Sequence, residues 1–140
     1  MAETNDAVST FRLLLLTALG QALGAAGYQL AEDPVSEAAG RFQFRMAGES
    51  EAELRIEFQV LVGTASEWAP QMPSRFRVTL FRQGAGRALA ALVVQDFGVA
   101  ILPSADHWWS WQNSGDLGAA LAEAGHLLFG FGIPWLNGEL

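Results

Sequence analysis

The sequence predicts a single α+β domain over residues 1–140, with an antiparallel sheet and helices packed on one of its faces. Three observations carry this expectation. Three segments alternate apolar and polar residues with period two, the pattern of an antiparallel meander that buries one face. Segments with helical spacing stand near both ends. A chain of 140 residues is one ordinary domain, large enough to bury about two-thirds of the surface its unfolded form exposes. The expected order is α-β-β-β-α-β-β-α.

The first helix runs from Asp6 to Ala26, where Val8, Phe11, Leu15, Leu19, Ala22 and Ala26 repeat at helical spacing and Gly27 supplies a stop. A second stripe, Leu13, Leu16, Gly20 and Leu23, makes this helix apolar over most of its circumference, so it is expected to be buried on two sides. Within it the apolar run "FRLLLLTALG", Phe11 to Gly20, is preceded by Glu3 and Asp6 rather than by basic residues and is too short for a bilayer span, so it reads as part of the domain's first helix. "AEDPVSEAAG", residues 31–40, reads as an acidic connection.

The strands are "RFQFRM" with Phe42, Phe44 and Met46 inward, "LRIEFQVLV" with Leu54, Ile56, Phe58, Val60 and Val62 inward, and "RFRVTLF" with Phe76, Val78 and Leu80 inward. The links "AGESEAE" and "GTASEWAPQMPS" read as loops, the second fixed by Pro70 and Pro73. Residues 87–97 are ambiguous. Leu89, Leu92, Val93 and Phe97 fit one helical face, which favours a helix, while a buried strand through "ALVV" fits almost as well. "VAILP" and "HWWSW" read as two short strands. A last helix is capped by Asn113 or Ser114, repeats through Leu117, Leu121, Ala124, Leu128 and Phe131, and ends at Gly132 and Pro134.

This element order, with the acidic charge, resembles the class I type III secretion chaperones and the related YbjN-type regulators. The resemblance implies a chaperone-like or regulatory protein-binding role and a dimer.

Composition narrows the function further. A net charge of −7 argues against a nucleic-acid partner, because phosphate-backbone affinity needs clustered cations. With no cysteine there is neither a disulfide framework nor a thiolate metal site, and a cytoplasmic location is expected. No membrane partner, cofactor or metal is expected either. The two histidines have no acidic or cysteine ligands at ligand spacing, and the acidic run Glu49, Glu51 and Glu53 lacks the glycine of a calcium loop. Gly20 and Gly24 read as close helix packing, and His126 as a solvated partner of Glu123.

Two surfaces stand out as candidate binding sites. In "DHWWSWQNSGD", strand parity sends His107, Trp109 and Trp111 to one side and Trp108 and Ser110 to the other, so Trp109 and Trp111 are expected in the core and Trp108 at a rim. On the polar side of the meander stand Arg41, Arg45, Arg55, Arg75 and Arg77 with Glu57 as the one carboxylate, which suits a platform for an acidic segment, since guanidinium forks hold carboxylates through paired hydrogen bonds. The grouping of His107 with Ser104, Asp106 and Ser110 is the nearest approach to a catalytic constellation, but neighbours in a strand diverge and no glycine elbow presents a serine, so no enzyme is expected. The function expected is binding of a protein or peptide, with a small-molecule site built from the tryptophan stretch and the arginine face as the alternative. A homodimer paired through Leu13, Leu16 and Leu23 is expected from the second stripe of the first helix.

Overall fold

A computed structural model describes residues 2–46, 54–63 and 73–139. The acidic run Glu49, Glu51 and Glu53, together with Pro70, lies outside the described residues. The fold is α+β, with one antiparallel sheet and helices on its apolar face.

The first helix, α1, starts as Ala2–Leu15, widens into a π turn at Leu16–Gly20 and closes as Gln21–Ala25. Its buried residues are Phe11, Leu15, Leu19 and Leu23, spaced four apart throughout. At 3.6 residues per turn such a stripe drifts by about 40° at each step. The wider π turn takes up an extra residue and brings the stripe back over the sheet. Two expectations fail for this reason: Leu23 is fully buried rather than available to a dimer partner, and Ala22 is exposed rather than inward.

β1 (Tyr28–Ala31) pairs with β2 (Arg41–Met46) in a register that sets Tyr28 against Met46 and Leu30 against Phe44. Between them stands a one-turn helix, α2 (Pro34–Ala38). Asp33 caps it by accepting from the Val35 and Ser36 amides at 3.2 and 3.3 Å, while Glu37 reaches back to the Asp33 amide at 3.2 Å. Both β1 and α2 fall in or beside the stretch read as a connection, which is corrected here; the strand has only two inward residues, too few for a periodic signal. Gly40 then has φ +84°, and a Cβ there would stand 2.5 Å from the Val60 carbonyl oxygen, so the turn into β2 requires glycine.

β3 (Leu54–Leu61) and β4 (Ser74–Arg82) complete the meander as expected. Phe42 faces Phe58, Phe44 faces Ile56, Phe58 faces Val78 and Val60 faces Phe76. These inner residues meet Phe11, whose ring lies 5.5 Å from Phe42, 5.3 Å from Phe76 and 5.7 Å from Trp111. Tilted and offset pairs of this kind add to the burial of large apolar area.

The ambiguous segment contains both elements. β5 (Ala85–Ala88) pairs with the end of β4, and α3 follows as Leu89–Ala91 with a π turn at Leu92–Asp96. "VAILP" is not a strand. The Val99 amide bonds back to the Val93 carbonyl at 3.0 Å, and the far side of β4 is already shared by β5 and β6 (Trp109–Trp111), so the segment has no place on β4. The last helix, α4, runs Ser114–Leu127, a π turn at Leu128–Gly132, then Ile133–Leu136. It therefore continues past the expected stop at Gly132 and Pro134. Proline cannot donate inside a regular helix, but after a π turn the segment restarts and Pro134 takes one of its first positions, where a donor is not needed.

α4 packs against α1, and a Cβ at Gly125 would stand 2.5 Å from a Leu19 methyl. Ala7–Ala25 and Ser114–Leu136 are each long and apolar enough to cross a membrane by length and composition, with 22% and 50% of each window buried in the fold.

Candidate functional site

Strand alternation decides what the outer face of the sheet presents. Arg41, Gln43 and Arg45 of β2 stand opposite Gln59, Glu57 and Arg55 of β3, and these in turn face Arg77, Thr79 and Phe81 of β4. The next row sets Leu61 beside Arg75, and Arg75 beside Ser110 of β6. All five arginines expected on this face are there, and Arg45 lies directly across from Arg55.

The arginines are positioned by aromatic rings and amides. Arg75 and Arg77 lie over the Trp108 ring, 5.6 and 4.8 Å from its centre, and Arg55 lies over Phe81 at 4.2 Å. The Arg77 Nε donates to Gln59 at 3.0 Å, and Arg45 donates to Gln43 at 3.3 Å. Glu57, the one carboxylate among these residues, accepts from the Gln43 amide at 2.9 Å. Stacking on a ring orients a guanidinium while leaving N–H groups at its rim for a carboxylate. Phe81 was not singled out from the sequence, although it continues the parity of Arg75, Arg77 and Thr79.

The tryptophan stretch divides as its parity requires. Trp109 and Trp111 are 4% and 8% exposed, and Trp109 stacks on Phe76 with ring centres 5.5 Å apart. Trp108 is half-buried on the outer side, under the two arginines. The core pair are thus packing residues, and Trp108 is the member of the stretch that a ligand can reach.

His107 sits edge-on to Trp109 at 4.9 Å between ring centres. Burial pushes its pKa below the usual histidine value, with the Glu123 carboxylate pulling the other way. Glu123 accepts from Trp109 Nε1 at 3.3 Å, so its partner is a tryptophan rather than the exposed His126. Among the described residues no hydrogen bond joins His107 to Ser104, Ser110 or Asp106; Ser104 donates instead to Asp106 at 2.9 Å. His107, Trp109 and Ser110 line an open cleft of about 470 Å³, whose far wall is α4.

The residues expected at a dimer contact separate. Leu13 is 65% exposed, Leu16 is partly buried against the core and Leu23 belongs to the core. Among the described residues no group of three or more histidine, aspartate and glutamate side chains could hold a metal ion. No family model matches this chain, and neither a curated protein nor a solved structure matches it.

Proposed function

We propose that this protein is a non-enzymatic binding domain, a homodimer that takes an acidic segment of a protein or peptide on the outer face of its sheet. The observation that carries the reading is the pair Arg75 and Arg77 on Trp108, set in a face of five arginines and one glutamate. Among the described strand residues of that face the charge sums to +4, from five arginines and Glu57, in a chain whose total is −7. Long polyanions are repelled by such a molecule at a distance, while a short acidic segment reaches the arginines and gains charge-assisted hydrogen bonds.

The test uses fluorescein-labelled hexaglutamate as the probe, read by fluorescence anisotropy at low and at moderate salt. Binding is expected, and it weakens at least about tenfold in Arg75→Gln/Arg77→Gln, because each charged hydrogen bond lost is worth roughly 1.5–3 kcal/mol. Equal binding by the double variant, with an unchanged salt dependence, overturns the reading. Surface substitutions of this kind leave stability within about 0.5 kcal/mol, so the variant stays folded. The half-buried indole beside the arginines favours a second reading, a small carboxylate bound at the same pair; competition by succinate as effective per molecule as that by unlabelled hexaglutamate would support it.

A further inference from the structure

We infer that the bound segment lies extended along the free edge of β6 and extends the sheet by one strand, a deepening that rests on the acidic-segment reading above. β4 shares its far side between β5, at Thr79 to Arg82, and β6, at Ser74 to Phe76. β6 pairs with β4 alone, so its other edge has no strand partner among the described residues. Such an edge holds main-chain donors and acceptors ready for another chain. Beside it runs the cleft of about 470 Å³, walled by His107, Trp109 and Ser110 on the sheet side and by Ala119 and Ala120 on α4. The two alanines present small side chains to the cleft, and an added strand stands about 4.8 Å beyond the last one.

Charge on the two sides of this edge selects the occupant. Residues of an added strand alternate between the sheet's faces. One set shares the outer face with Trp108, Ser110, Arg75 and Arg77 and meets positive charge. The other set turns toward α4, where Asp116 and Glu123 line the same cleft. A uniformly acidic segment is matched on the outer side alone, where it still reaches Arg75 and Arg77, whereas one alternating acidic with basic residues is matched on both sides and binds more tightly. The partner is therefore an extended segment with acidic side chains at every second position and basic ones between, its spacing fitted to Arg75 and Arg77, which also stand two residues apart on one strand.

The probe is a labelled nonapeptide alternating glutamate with lysine, compared with a peptide of the same composition in two blocks and with two versions N-methylated at odd or at even positions. Methylation removes main-chain donors and leaves side chains alone. The alternating peptide is expected to bind at least about tenfold more tightly than the block peptide. One N-methylated version loses binding at least about tenfold and the other keeps it, because only every second amide faces β6. Slowed amide exchange confined to residues 107–111 locates the contact. Equal binding of both methylated versions, no preference for alternation, or exchange protection elsewhere overturns strand addition. Hexaglutamate binding that still depends on Arg75 and Arg77 then leaves the acidic-segment reading standing, while loss of that dependence removes the reading itself.

Discussion

Tyr28 is 1% exposed, and among the described residues its hydroxyl has no hydrogen-bond partner. Burial raises its pKa from 10.0 to about 12, because the phenolate cannot be solvated inside the core. A folded pKa above the unfolded one means that the protonated form is favoured by folding. The associated stability is fully present below pH 10 and is lost as the pH rises through about 12. Tyr28→Phe removes an unsatisfied polar atom and keeps the ring, so it is expected to be neutral or stabilising at pH 7 and to flatten the decline above pH 10. Urea melts of both proteins at pH 7 and in the alkaline range check this, and a clear loss of stability at pH 7 in the phenylalanine variant would show that the hydroxyl has a partner. At this scale the sequence was legible where parity alone decides. Trp109 and Trp111 went inward and Trp108 outward because successive strand residues point to opposite faces. Glu123 was misread because its partner, Trp109, is fourteen residues away and no local spacing joins them.

At the scale of elements, the three long strands were legible because each has three or more alternating inward residues, and β1 was not because it has two. The helices show a different limit. Phe11, Leu15, Leu19 and Leu23 are one stripe only if a turn of α1 is wider than average, and the sequence was read at 3.6 residues per turn throughout. The π turn at Leu16–Gly20 thus acts as an extra residue that corrects the phase. Deleting the exposed Ala18 removes that residue and returns the stripe to ordinary spacing, so the deletion variant is expected to fold with nearly unchanged helical circular dichroism. Deleting Ala122, where α4 is regular, rotates Ala124 and Leu128 off the sheet and is expected to cost roughly 2–5 kcal/mol, the range for losing a buried apolar side chain. Equal loss in the two variants, measured by urea denaturation, would show that the π turn is not a register device.

At the scale of the whole molecule, charge is divided among surfaces, and this decides which of them can meet its own copy. Two-fold pairing sets a surface against itself. The outer sheet face, at +4, repels its own copy, and the acidic remainder does the same. From Leu13 to Ala25, α1 has no charged residue, and Leu13, Ala18, Ala22 and Ala25 of this stretch are exposed. Leu13 is the large apolar side chain on this face, and two copies meeting there remove both leucines from water, worth about 1.5–3 kcal/mol each when fully buried. With Leu23 in the core, the contact rests on Leu13 and on the exposed part of Leu16, so it is smaller than the stripe read from the sequence and its affinity is expected to be modest. Light scattering at micromolar concentration is expected to give twice the 15.0 kDa chain mass, falling toward one chain mass on dilution. Leu13→Asp places a carboxylate on the symmetry axis, and it is expected to abolish the dimer while leaving the helical circular dichroism and hexaglutamate binding unchanged. A mass of one chain at every concentration up to about 100 μM rules the pairing out.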